Sequence, residues 1–218
     1  QQTLFAAIDD PVEIWDVRLR NDSGKKRNLS VFSYLEFSFH QIPMDNQNFQ
    51  MSLYATGSRY EDGIIEEDLY YEEDGFQFFT ADFTPDGFDC CRDAFLGDYR
   101  TERNPQAVET GKCSGSFRKG GNHCGALMKT ITLEPGQEQR LLFLLGEGGL
   151  ETGRTMRRKY TQQRVDRDFA ETAKFWDERL KCLQVSTPSE AMNTELNIWN
   201  LYQSEINVMF SRFTSFIE

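Results

Sequence analysis

Leu29–Phe39, LSVFSYLEFSF, decides how this chain is read. Leu29, Val31, Ser33, Leu35, Phe37 and Phe39 fall on one side of an extended strand, because successive side chains of a strand point to opposite faces. Ser30, Phe32, Tyr34, Glu36 and Ser38 fall on the other. That second side is not simply polar, since it carries two aromatic rings. Both faces are therefore expected to be covered, as in a sandwich with an additional layer.

The same period holds on either side of this stretch. Before it, Trp15, Val17 and Leu19 share one face of a strand, and Asn21–Lys26 is a turn cluster. After it, strands are expected at Phe49–Thr56, Ile64–Tyr71, Phe76–Phe83, Gly125–Leu133 and Arg140–Leu145. Gly63, Asp74-Gly75, Pro85-Asp86-Gly87 and Pro135-Gly136 punctuate them. Short strands with regular turns and no helical pattern between them indicate an antiparallel sandwich. The region Asp89–His123 is less regular and reads as loops lying over the sheet.

After Gly148-Gly149 the period becomes helical, with Val165, Phe169, Thr172, Trp176, Leu180 and Leu183 at spacings of three and four. Thr187-Pro188-Ser189-Glu190 reads as a capping box, with Thr187 at the N-cap and Pro188 at the first helical position. The helix it opens, running through Asn193–Glu218, is strongly apolar, and a helix apolar on most of its surface belongs inside a larger body. The expected organisation is a β-sandwich over 1–148, a helical linker over 149–187 and a further helix over 188–218. The start, Gln1–Phe5, lacks an initiator Met and reads as the tail of a strand, so the chain is read as a slice of a longer protein.

Composition narrows function by exclusion. Lys and Arg total 24 against 35 Asp and Glu over 218 residues, a net charge of −11. So acidic a chain repels phosphate backbones, which argues against nucleic-acid partners. No apolar run is long enough to span a membrane. The five cysteines (90, 91, 113, 124 and 182) are odd in number and irregular in spacing, which argues against a secreted disulfide framework and for reduced thiols in a cytoplasmic protein. Without a C-x-x-C pair, and with adjacent Cys90 and Cys91 poorly suited to one tetrahedral ion, no metal is expected near His123.

With only His40 and His123 in the chain, histidine acid–base chemistry has little room, and no Walker loop or nucleophile elbow is present. Glu66-Glu67-Asp68 and Glu72-Glu73-Asp74 read as solvated strand ends that discourage sheet-to-sheet pairing. Asp45-Asn46-Gln47-Asn48 differs, because amide side chains both donate and accept and so suit sugar hydroxyls. Arg92–Arg100, RDAFLGDYR, reads as a loop anchored on Phe95 and Leu96 with Arg92 and Asp93 paired locally.

Taken together, DNQNFQMSLY (Asp45–Tyr54), RDAFLGDYR (Arg92–Arg100), NPQAVETGKC (Asn104–Cys113), NHCGAL (Asn122–Leu127) and NIWNLYQ…SRFTSFIE (Asn197–Glu218) resemble, in this order, the inverting disaccharide phosphorylases of glycoside hydrolase family 94. The first and last blocks resemble the branch acting on 2-acetamido sugars; the cellobiose branch is closer to D-x-TNFQRN and SRSASYFE. The resemblance implies an N-terminal β-sandwich, a helical linker and an (α/α)6 catalytic barrel, of which 188–218 is the first helix. It implies a homodimer that cleaves a β-linked disaccharide with inorganic phosphate as co-substrate and no other cofactor, giving an α-sugar 1-phosphate. The acid and the phosphate-holding residues are then expected beyond Glu218. It further implies that Gln47 and Asn48 contact sugar in the partner's active site. The rival readings are a cellobiose or cellodextrin phosphorylase and a non-catalytic sugar-binding sandwich.

Overall fold

A computed structural model describes residues 1–39, 54–71 and 73–214, with side chains to 208. The chain divides into two compact units, Gln1–Asp166 and Arg167–Glu218. The expected strand Phe49–Thr56 lies largely outside the described residues.

Nine strands are described: β1 (Gln2–Ala6), β2 (Val12–Arg20), β3 (Arg27–Leu35), β4 (Thr56–Glu61), β5 (Ile64–Leu69), β6 (Phe76–Ala81), β7 (Gly87–Cys91), β8 (His123–Leu133) and β9 (Glu138–Glu147). They form a six-stranded sheet in the order β1-β2-β9-β6-β5-β4 and a three-stranded sheet in the order β3-β8-β7, with every pair antiparallel. The two strands latest in sequence, β8 and β9, thus hold interior positions in the two sheets.

Strand alternation sorts the apolar residues into layers. Trp15, Val17 and Leu19 of β2 point between the sheets, where they meet Phe79, Leu141, Phe143 and Leu127. The opposite faces of the same strands carry Val12, Ile14, Phe78, Leu142 and Leu144. That second face is covered by Leu150 and Met156 of α3 (Leu150–Lys159), by Tyr160, and by Val165 at the start of α4 (Gln162–Leu180). On the smaller sheet, Phe32 and Tyr34 of β3 pack outward against Phe95. The additional layer expected from the two rings in LSVFSYLEFSF is present, and the protein is a β-sandwich with helices on its outer faces.

The region 89–123 is more structured than expected. It contains most of β7 and two short helices, α1 (Arg92–Leu96) and α2 (Gln106–Thr110).

In the second unit, helix α5 (Glu190–Thr194) runs through a π-helical turn (Glu195–Trp199) into α6 (Asn200–Thr214). Trp176 of α4 meets Tyr202 at 5.4 Å, and Arg179 pairs with Glu205 at 2.5 Å. The capping box is displaced from its expected place. Ser189, not Thr187, is the N-cap, and its hydroxyl accepts from the Met192 N–H at 3.4 Å. Thr187 Oγ1 instead accepts from the Ser189 N–H at 3.2 Å. Asn193 accepts from Thr187 N at 2.7 Å and donates to Thr187 O at 3.0 Å, so the helix's own side chain clamps the residue that sequence had placed at its cap.

Candidate functional site

Three of the blocks that carry the family resemblance meet on the outer face of the smaller sheet. Phe95 and Leu96 from α1, Ala107 from α2, and Cys124 and Ala126 from β8 form one buried cluster, with Phe32, Tyr34 and Cys113 around it. Tyr34 stacks on Phe95 with ring centroids 5.0 Å apart. Phe95 and Leu96 are anchors, as expected. The local Arg92–Asp93 pair is not formed. Arg92 donates to Glu36 and Glu102, each at 2.8 Å, and Asp93 accepts from Arg118 at 2.8 Å. Adjacent side chains on a one-turn helix diverge, so each finds a partner on a different segment.

Between α1 and α2 the chain forms a braced shelf. Gly97 has φ 85°, and a Cβ there would lie 2.4 Å from the Gln106 carboxamide oxygen, so glycine is required. Two residues on, Tyr99 has φ 58°, a left-handed conformation uncommon for a bulky residue. The Arg100 guanidinium ties the shelf to Glu109 and donates to Asn104 O at 3.3 Å. Asn104 Oδ1 accepts from Thr101 N at 3.1 Å, closing the turn from within. Tyr99 itself is fully exposed at the rim of a groove of about 590 Å³.

Beneath this layer the polar groups are buried and occupied. Asp89 is fully buried and accepts from the backbone N–H and hydroxyl of both Ser114 and Ser116. Burial pushes the Cys90 and Cys113 thiols up to about 12, which keeps them protonated and poorly nucleophilic at neutral pH. Among the described residues no group of three or more His, Cys, Asp or Glu side chains is placed to hold a metal ion, and no helix is long and apolar enough to cross a membrane.

The reading of Glu66-Glu67-Asp68 as a solvated edge is overturned for its first two members. Both glutamates are buried, one on each face of β5. Glu66 turns toward α3, pairs with Arg59 at 2.9 Å and accepts from Leu150 N at 2.7 Å, where the positive end of the helix favours a carboxylate. Glu67 turns toward the smaller sheet, 2.8 Å from His123 Nδ1. Burial raises the Glu67 carboxyl above its ordinary value, and the His123 contact partly opposes the rise. Each carboxylate is answered by a group distant in sequence, which no local pattern reveals. His123 is thus a core histidine.

Gln47 and Asn48 lie outside the described residues, as does His40. Sequence reasoning also missed Tyr99, because a positive φ at a non-glycine residue leaves no mark in composition or period.

The layered sandwich and these convergent blocks define a β-sandwich domain with helices packed on its outer faces, and comparison with known proteins gives it a family. Residues 1–163 match the glycosyl hydrolase 94 supersandwich domain, and residues 175–218 match the catalytic domain of the glycosyl hydrolase 94 superfamily. The chain belongs to glycosyl hydrolase family 94. Over its whole length it is 47% identical to N,N′-diacetylchitobiose phosphorylases of Vibrio proteolyticus and Vibrio furnissii, covering 28% of each. Over 90% of its length it is 32% identical to a solabiose phosphorylase of Paenibacillus borealis, covering 26% of that protein. The chain therefore spans little more than a quarter of the curated relatives it matches.

Proposed function

We propose that this chain is the sandwich and the opening helices of an inverting glycoside phosphorylase. The whole protein cleaves the β-linked disaccharide N,N′-diacetylchitobiose with inorganic phosphate, giving an α-sugar 1-phosphate and a free sugar. The observation that carries this reading is the 47% identity across the entire chain to two enzymes of that name. The match to solabiose phosphorylase at 32% supports phosphorolysis as the shared chemistry and the acetamido sugar as the finer distinction.

In this reading the segment 149–187 links the sandwich to an (α/α)6 barrel that residues 188–218 begin. The barrel supplies the single carboxylic acid that protonates the leaving oxygen, and phosphate takes the place of the water used by an inverting hydrolase. No cofactor beyond phosphate is needed. The enzyme works as a cytoplasmic homodimer, and Gln47 and Asn48 meet the acceptor sugar in the partner's site, where amides can serve hydroxyls in both directions.

The test is incubation of the full-length protein with phosphate and either N,N′-diacetylchitobiose or cellobiose, followed by ³¹P NMR. An α-configured N-acetylglucosamine 1-phosphate, formed only from the first substrate, is the expected product. Glucose 1-phosphate from cellobiose alone would move the protein to the cellobiose branch. Phosphorolysis of neither would overturn both disaccharide assignments.

A further inference from the structure

The shelf between α1 and α2 has features that the fold does not require. A tyrosine in a left-handed backbone conformation carries a strain that the surrounding structure must hold in place. Here the holding is explicit: Gly97 against Gln106, Arg100 against Glu109 and Asn104 O, and Thr101 against Asn104. All of this fixes a ring that touches nothing buried and is fully exposed. Within this chain, burial gives no reason for the strain.

The surroundings of the ring indicate what it meets. The groove beside it is lined by Asp98, Arg103, Asn104, Pro105 and Val108. The Arg103 guanidinium forms no ion pair among the described residues, and the Asn104 amide nitrogen points to no protein acceptor among them. An aromatic face, a free guanidinium, an amide donor and a carboxylate together offer stacking with hydrogen bonding in both directions. The apolar part is one ring with Pro105 and a half-exposed Val108, far less than the roughly 1,200 Å² that a stable protein interface buries. The groove, about 590 Å³ and open to solvent, falls in the range of small-ligand sites.

We propose that Tyr99, with Arg103 and Asn104, forms a carbohydrate-binding surface that stacks a β-linked N-acetylglucosamine chain. This rests on the reading of the whole protein as an acetamido-disaccharide phosphorylase, and it adds a site formed by the sandwich alone. The tyrosine ring supplies a platform for the apolar face of a pyranose. Arg103 and Asn104 address the acetamido carbonyl and the hydroxyls, and Asp98 accepts from them. Because the loop is fixed beforehand, binding spends little on ordering it.

The test uses the full-length protein and its Tyr99→Ala and Tyr99→Phe forms, with tetra-N-acetylchitotetraose as the probe in titration calorimetry. Phosphorolysis of N,N′-diacetylchitobiose by the unaltered protein is followed in parallel. Two classes of site are expected in the unaltered protein. Tyr99→Ala is expected to weaken one of them roughly tenfold or more, as removal of a stacking platform does. Tyr99→Phe keeps both, since the ring face and not the hydroxyl is engaged. Binding that is unchanged in Tyr99→Ala, whether in one class of site or two, overturns the proposal. So does a Tyr99→Ala protein that sediments at half the mass of the unaltered one, because the ring then belongs to an interface between copies. Tyr99-dependent binding without phosphorolysis upholds the surface and removes the phosphorylase reading instead.

Discussion

In the sandwich Ile14, Phe78 and Phe79 are completely buried, whereas in the helical unit Ile198, Trp199 and Val208 keep 44%, 55% and 61% of their surface. Both regions are rich in large apolar residues, so composition does not separate them. Geometry does. A strand offers two faces, and in the sandwich each is met by a second sheet or a helix from the same unit. Among the described side chains of the helical unit, α4 meets Tyr202 through Trp176 and Glu205 through Arg179, while Ile198, Trp199 and Val208 stay exposed. The lesson is that burial follows from how many covering elements a segment has, not from how apolar it is.

The most severe way to break this comparison is to open the sealed region. Phe78→Ala is expected to cost about 3–5 kcal/mol, since the sheet and α3 cannot collapse into the space left behind. Urea unfolding of the chain would show it as a lower midpoint at unchanged slope. A loss below about 1 kcal/mol would mean that the outer face of the large sheet is loosely packed.

The buried Glu67–His123 pair sharpens the comparison next. His123→Leu strands a desolvated carboxylate and is expected to cost about 3–5 kcal/mol at neutral pH. The Glu67 carboxyl is raised by burial above its ordinary value of 4.5, so the folded state binds the proton more tightly than the unfolded one. Its contribution is therefore fully present below that ordinary value and is lost as pH climbs through the folded one. Adding Glu67→Gln to His123→Leu should recover more stability at neutral pH than near pH 4.5, where the raised Glu67 carboxyl holds its proton to a greater extent. Denaturation midpoints of the single and double variants at the two pH values decide it. An equal recovery at both would show that desolvated charge is not the source of the cost.

Effects in the helical unit are expected to be smaller. Ser189→Ala removes the hydroxyl that caps Met192 N and should cost about 1 kcal/mol, with faster hydrogen exchange confined to the first turn of α5. Unchanged exchange there would return the cap to Thr187. Trp199→Gln should alter stability by less than about 0.5 kcal/mol while reducing self-association of the chain, because the ring is exposed. A loss as large as that of Phe78→Ala would erase the contrast between the two regions.

Sequence made the layered sandwich legible because β2 and β3 sort their large apolar residues onto two faces, β9 carries the unbroken apolar run Leu141–Leu145 of a strand covered on both sides, and Phe32 and Tyr34 announced the layer outside the smaller sheet. It did not reveal β4 or β7. TGSRYE and GFDCC carry glycine and polar residues in short runs, and neighbouring strands rather than local preference hold them extended. Glu66 and Glu67 looked like an exposed edge because the Leu150 N–H and His123 that meet them come from remote segments, and only Arg59, opposite Glu66 on the neighbouring strand, is close in sequence. The Tyr99 shelf was visible only as its two anchors, Phe95 and Leu96. Its conformation depends on Gly97 meeting Gln106 and on Arg100 meeting Glu109, contacts that arise only once the two short helices lie side by side.

The interior positions of β8 and β9 bear on how the chain acquires its shape. Strand β8 joins β3 to β7, and β9 joins β2 to β6, while the two follow one another within 123–147. During synthesis, then, neither sheet can be completed from its earlier strands: the N-terminal ribbon and the β4–β6 ribbon wait, unjoined, until these last two strands leave the ribosome. Strand β8 closes the smaller sheet and β9 then closes the larger, through pairings as remote as Val12 with Gly146. Contacts that distant are slow to form, because loop-closure entropy must be met before they contribute. The sandwich should therefore appear late, and a chain interrupted before residue 123 would leave two incomplete sheets with exposed edges, a form prone to aggregation.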